Sequence, residues 1–282
     1  MILSGSRSQS LAAALAGRTG HDLAGVSSER FPDGEQLVEL DPPTLAGEEA
    51  VVVATTATDA AYVELLQLQD AAREAGASRV TTVIPYMGYA RQDEAFEPGQ
   101  PVSARAVARA VSTGTDRVLL VEPHESAVCD YFPAPAEPVG VAGLLAEPLV
   151  GLSEPVFLAP DAGAADLART VRDAYGRGTV DHFEKTRHSG SEVTVEPAGT
   201  TVDGHDVVIV DDIVATGSTM SQAIAAMAGE AASVTVACVH ALFARDAYTK
   251  LRRAGVDAVY APDTIERTVS EVSVAPAVAD RL

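Results

Sequence analysis

The sequence predicts an α/β protein of two tandem domains, each a mainly parallel sheet flanked by helices. Short β-branched runs alternate with Ala-rich helical stretches, the pattern of parallel strands joined by crossover helices. The alternation pauses around Pro133, Pro135 and Pro138 and restarts after Pro148. A chain of 282 residues, 47% of them hydrophobic, has material for two cores of ordinary domain size. The first domain is expected over 1–140 and the second over 141–282.

Val51 to Thr55 reads as a strand, and Asp59 to Ala75 as a helix stopped by Gly76. Arg79 to Pro85 is a second strand, Val102 to Val111 a helix, and Arg117 to Glu122 a third strand ending at Pro123-His124. In the second half the strands are Val156 to Pro160, Asp206 to Asp211, Ser233 to Leu242 and Asp257 to Ala261. The helices between them are Ala164 to Tyr175, Ser218 to Ala228 and Ala244 to Ala254. An open parallel sheet binds ligands beyond the carboxyl ends of its strands, so the residues just after each strand are where chemistry is expected.

Composition narrows the function classes. No apolar run reaches the roughly 20 residues that a membrane-spanning helix needs. The start, Met1 to Arg7, lacks a basic stretch followed by an apolar core, so no secretory signal is expected and the cytoplasm is the expected location. Cys129 and Cys238 stand alone in apolar surroundings and read as buried thiols. A formal charge of −20 argues against a general nucleic-acid binder. Lys185 and Lys250 are the only lysines. An acidic, lysine-poor chain suits concentrated salt, where screening shortens to about 3 Å at 1 M.

The strongest motif runs from Val207 to Thr219. Four apolar residues, Val207 to Val210, form a buried strand; Asp211 and Asp212 close it; Ala215-Thr216-Gly217 leads into a helix at Ser218. Such a loop offers unpaired N–H groups and the positive end of a helix dipole to a phosphate dianion. Thr216, Ser218 and Thr219 add hydroxyls, Gly217 permits close approach, and the aspartates can accept from vicinal sugar hydroxyls. Capping by Ser218 or Thr219 alone leaves the paired aspartates without a role.

This segment resembles the phosphoribosyl pyrophosphate loop shared by phosphoribosyltransferases and ribose-phosphate pyrophosphokinases. The resemblance implies that Asp211, Asp212, Ala215, Thr216, Gly217, Ser218 and Thr219 bind ribose 5-phosphate. The usual pattern has an acid and a glycine where this chain has Ala215 and Ser218, so Ala215 supplies no carboxylate.

Further segments resemble the ribose-phosphate pyrophosphokinases, in that family's order. By itself Phe31-Pro32-Asp33-Gly34-Glu35 is turn chemistry. The resemblance implies that Phe31, Asp33, Gly34 and Glu35 reach the adenine of ATP across a subunit interface, hence a homo-oligomer. Tyr86 to Asp93 ends in Arg91-Gln92-Asp93, and Arg91 and Gln92 are implied ATP contacts. Glu122-Pro123-His124 and Pro160-Asp161 close strands, and the resemblance makes His124 and Asp161 partners of Mg²⁺. Asp161 also reads as a helix N-cap. Glu184 to Gly190 is polar, lies between predicted strands, and resembles the family's catalytic loop through Lys185 and Arg187 in Lys-x-Arg spacing. Lys185 is implied to stabilise the transferred diphosphoryl group, and Arg187 to assist and to help hold the ribose phosphate.

The implied fold is two phosphoribosyltransferase-like domains. The implied activity moves the β,γ-diphosphate of ATP to the C1 hydroxyl of ribose 5-phosphate, with no nucleic-acid or membrane partner. The alternatives are a phosphoribosyltransferase, which would not need Arg91-Gln92, and a non-catalytic regulatory subunit, which would not need Lys185 and Arg187.

Overall fold

The structure, a computed structural model, describes residues 1–187 and 193–282, with the side chains of 185–187 and 193–196 left out. The chain forms two compact units: 1–140 with 263–266 and 273–282, and 141–262 with 267–272.

Unit 1 opens with β1 (Ile2–Ser4), α1 (Gln9–Thr19) and an antiparallel hairpin of β2 (Gly25–Arg30) and β3 (Gln36–Asp41). There follow β4 (Glu49–Val53), α2 (Asp59–Glu74), β5 (Arg79–Ile84), α3 (Ser103–Val111), β6 (Arg117–Val121) and β7 (Ala136–Val139). The sheet order is β1-β4-β5-β6-β7, parallel throughout. Strands covered on both faces read as unbroken apolar runs, and Ala50 to Val53 are all buried. α2 begins at Thr58, whose hydroxyl accepts the Ala61 N–H at 3.2 Å, and carries Asp59 in its first turn and Arg73 in its last. Leu65 and Leu68 of α2 pack with Leu3, Val52, Val80, Ile84 and Leu120 in one core. Each such leucine contributes about 1.5–3 kcal/mol by leaving water.

Unit 2 runs β8 (Val156–Ala159), α4 (Ala165–Tyr175), β9 (Thr179–Arg187), β10 (Val193–Pro197), β11 (Asp206–Ile213), α5 (Ser218–Ala226), β12 (Ser233–His240), α6 (Ala247–Ala254), β13 (Ala258–Pro262) and β14 (Ser270–Val272). The order is β10-β9-β8-β11-β12-β13-β14, with only β10 antiparallel to its neighbour. Central β11 buries Val207 to Val210, and Val207 and Ile209 join Leu158, Val236 and Cys238 in the second core. The last helix, α7 (Ala275–Ala279), belongs to unit 1.

The two-domain α/β expectation matches this architecture, with three differences. The expected second domain ran to residue 282, whereas 263–266 and 273–282 pack with unit 1: Thr55 Oγ1 donates to the Thr264 carbonyl, and Glu266 caps α1 by accepting from the N–H groups of Ser10 and Leu11. The segment expected as a polar loop enters as strand, because residues 184–187 extend β9 and pair with β10. Helix α6 starts at Ala247 rather than Ala244, since Phe243 and Arg245 have φ of 45° and 58°, outside the helical region. Both cysteines are free and buried, as expected. No helix among the described residues is long and apolar enough to cross a membrane.

Candidate functional site

At the end of β11 the backbone turns its own carboxylates inward. Asp211 accepts from the Asp212 N–H at 3.0 Å, and Asp212 accepts from the Ile213 N–H at 2.7 Å. Burial first, then the adjacent Asp212 charge, and more weakly Asp161, lift the Asp211 carboxyl to about 8. A cation or a sugar hydroxyl supplied to this pair relieves that strain.

The loop then crosses Gly217, whose φ of 70° is left-handed and whose absent Cβ would lie 3.2 Å from the Ala247 carbonyl oxygen. Helix α5 starts there with a glycine at its N-cap and no side-chain cap hydrogen bond. Thr216, Ser218 and Thr219 are exposed around that turn, and Thr216 and Ser218 hydroxyls lie 3.4 Å apart. The arrangement suits a phosphate on the helix end and hydroxyls on the aspartates. Asp161, after β8, accepts from the N–H groups of Gly163 at 3.0 Å and Ala164 at 3.4 Å, which is the N-cap reading. It remains exposed, so one carboxylate oxygen can cap while the other serves a ligand.

Lys185 and Arg187 lie in β9, in register with Val195 and Val193 of β10. Their side chains, and all of His188 to Gly190, fall outside the described residues. Asp181 fixes the base of this hairpin by accepting from the N–H groups of His182, Gly199 and Thr200 at 2.8–2.9 Å.

Unit 1 carries the other predicted segments. Phe31 to Glu35 forms the tip between β2 and β3: Phe31 N–H donates to the Glu35 carbonyl, Gly34 has φ 95°, and Asp33 accepts from the Glu35 N–H. Phe31 is exposed at that tip. Beyond β5, a Cβ on Gly88 would fall 2.3 Å from the Thr56 carbonyl oxygen, so only glycine lets the two loops meet. Tyr89 has φ 65°, its hydroxyl donates to Asp59, and its ring lies 5.9 Å from that of Tyr62. Arg91 is exposed. Gln92 is anchored instead, accepting from Ser103 Oγ and donating to the Pro101 carbonyl at the start of α3. Glu122 has φ 39°, a strained value at a strand end, and His124 is exposed just after it.

Sequence reasoning missed the partners that hold these loops. Thr56 accepts from the Gly88 N–H at 3.1 Å, and the N–H groups of Phe243 and Ala244 donate to the carbonyls of Val214 and Ala215. The Phe243 and Ala244 bonds are main chain to main chain and leave no residue-type signal, and a lone threonine such as Thr56 gives none that points to Gly88.

Mg²⁺ fits these donors in kind. The carboxylates of Asp161, Asp211 and Asp212 are hard oxygen donors whose charges act on one another. No group of three or more His, Cys, Asp or Glu among the described residues is arranged to hold a metal ion by itself. An ion carried on phosphate oxygens needs few protein ligands.

Known proteins share this design. The family described as the N-terminal domain of ribose phosphate pyrophosphokinase matches residues 1–114, and the phosphoribosyl transferase domain matches residues 134–276. A ribose-phosphate pyrophosphokinase of Halobacterium salinarum is 64% identical, covering 100% of both chains. Those of Methanopyrus kandleri and Methanosarcina mazei are 43% and 40% identical, covering 99% and 100% of this chain and 97% and 94% of theirs. The crystal structure of phosphoribosylpyrophosphate synthetase from Mycobacterium smegmatis has the same fold, with a TM-score of 0.85 at 24% identity over 100% of this chain and 96% of that one. Two family domains in the expected order, and relatives of matching length from end to end, make this chain a member of the ribose-phosphate pyrophosphokinase family.

Proposed function

We propose that the chain transfers the β,γ-diphosphate of ATP to the C1 hydroxyl of ribose 5-phosphate, giving 5-phosphoribosyl 1-diphosphate and AMP. The observation that carries this reading is the end-to-end match to ribose-phosphate pyrophosphokinases. The β11–α5 turn, where paired aspartates meet a helix start without a side-chain cap, supports the sugar-phosphate half of it. The 5-phosphate sits on the N–H groups and hydroxyls of 216–219, and Asp211 and Asp212 accept from the ribose hydroxyls.

The C1 oxygen bonds to the β-phosphorus as the bond from that phosphorus to the α–β bridging oxygen breaks. AMP leaves with the bridging oxygen, and the hydroxyl proton passes to solvent. Lys185 and Arg187 neutralise charge on the diphosphoryl group in transit, the term that dominates phosphoryl transfer. Arg91 offers a planar multi-donor head to ATP phosphate, while Gln92 keeps its loop against α3. His124 and Asp161 would be the protein partners of Mg²⁺, whose chemistry there would be to draw charge from the polyphosphate oxygens. Phe31, Asp33 and Glu35 serve the adenine of a neighbouring copy in a homo-oligomer, and the exposed hairpin tip supports that role. The acidic, lysine-poor composition supports work in a salt-rich cytoplasm.

The test mixes protein, ATP, Mg²⁺ and ribose 5-phosphate in concentrated salt and follows AMP. Sugar-dependent AMP release, reduced at least about 100-fold in Lys185→Ala, supports the reading. A folded protein that binds the sugar phosphate but releases no AMP sinks it, in favour of a regulatory subunit or a phosphoribosyltransferase.

A further inference from the structure

We infer that Arg267 is a positioning residue for the sugar-phosphate loop, acting through the main chain of 241–244. This rests on the proposed role of the β11–α5 turn.

The chain reverses sharply after β12: Leu242 N–H donates back to the His240 carbonyl at 2.9 Å. Phe243 and Arg245 then take φ of 45° and 58°, left-handed values that L residues enter only at a cost of about 1 kcal/mol or more each. Such a conformation persists where its surroundings over-determine it. Here they do so from two sides.

On one side the turn is zipped to the sugar-phosphate loop. Phe243 N–H donates to the Val214 carbonyl at 3.0 Å, Ala244 N–H to the Ala215 carbonyl at 2.9 Å, and Val214 N–H to the His240 carbonyl at 3.1 Å. The Phe243 and Tyr248 rings, 5.6 Å apart, tie the turn to α6, and Ala247 at the start of that helix lies against Gly217. On the other side the Arg267 guanidinium donates from Nη2 to the Leu242 carbonyl at 2.9 Å and from Nε to the Ala241 carbonyl at 3.3 Å. Arg267 is itself fixed: its N–H donates to Ser270 Oγ at 3.1 Å, and its carbonyl accepts from the Ser270 N–H at 3.0 Å.

The path is therefore continuous: guanidinium, carbonyls of 241–242, N–H groups of 243–244, carbonyls of 214–215, and the helix start that faces the phosphate. Ala215 has only a methyl group, so this stretch of the loop is positioned through its main chain. An arginine suits the task because its planar fork reaches two successive carbonyls at once, which a lysine ammonium does not reproduce.

The test compares wild type with Arg267→Gln and Arg267→Lys. In Arg267→Gln the KM for ribose 5-phosphate and its Kd by calorimetry without ATP should rise roughly 3- to 30-fold. The KM for ATP and kcat at saturation should stay within about a factor of two. Arg267→Lys should recover part of the loss. A residue with a merely structural role would lower Tm and leave both ribose 5-phosphate constants unchanged, which would overturn the inference. If wild type does not bind ribose 5-phosphate, the proposed activity fails separately. The positioning role is then read from amide exchange at Phe243 and Ala244, which should quicken in Arg267→Gln; unchanged exchange rejects it.

Discussion

Asp211 and Asp212 stand side by side where β11 ends, and burial together with the Asp212 charge lifts the Asp211 carboxyl to about 8. The folded pKa lies above the unfolded one, so the folded state holds the extra proton between about pH 4 and 8. The stability this group contributes is full below about pH 4 and is lost as pH rises through about 8. Asp211→Asn should therefore stabilise the ligand-free protein at pH 8 by at least about 1 kcal/mol while abolishing sugar-dependent turnover. Urea melts at pH 5 and pH 8 check the first part; a gain of equal size at both pH values would contradict it.

Asp181 has the opposite sign. Burial alone would raise it, but the N–H groups of His182, Thr200 and Gly199 outweigh that and hold the carboxyl below its ordinary range. Its contribution is present above the unfolded value near 4 and is lost as pH falls through the lower folded value. Asp181→Ala should destabilise the protein by about 1–3 kcal/mol at neutral pH. Because Asp181 anchors the hairpin that carries Lys185 and Arg187, kcat should fall as well, a split that thermal melts and steady-state assays resolve.

Two glycines should respond in opposite directions to the same change. A Cβ at Gly88 meets the Thr56 carbonyl at 2.3 Å, whereas a Cβ at Gly17 in α1 meets nothing within 4 Å. Gly88→Ala should cost about 2 kcal/mol or more and raise the KM for ATP, because Arg91 and Gln92 follow on the same loop. Gly17→Ala should stabilise by about 0.5–1 kcal/mol and leave both KM values alone. Chemical denaturation of the two variants in parallel checks the pair.

The strands that carry chemistry were legible because buried parallel strands are unbroken apolar runs, as in Val207 to Val210 and Val51 to Val53. α2 was legible from Asp59 to its stop at Gly76, whereas its Thr58 cap was not read. The β2–β3 hairpin was not read as strand, since Gly25 to Arg30 is mostly exposed and polar; only its Pro-Asp-Gly tip gave a signal. β1, three residues long, is too short to show a period. The return of the C-terminal segments to unit 1 depends on contacts such as Thr55 donating to the Thr264 carbonyl, which no local pattern encodes. Among the site residues, the capping of Asp161 was anticipated, whereas the anchoring of Gln92 by Ser103 was not.

In the proposed reaction the β-phosphorus of ATP is the one attacked. Phosphorus NMR of the reaction with ribose 5-phosphate and Mg²⁺ in concentrated salt follows that nucleus directly. AMP and a diphosphate newly bonded to the C1 oxygen should appear in equal amounts. The appearance of ADP with a single phosphoryl group on the sugar would contradict it.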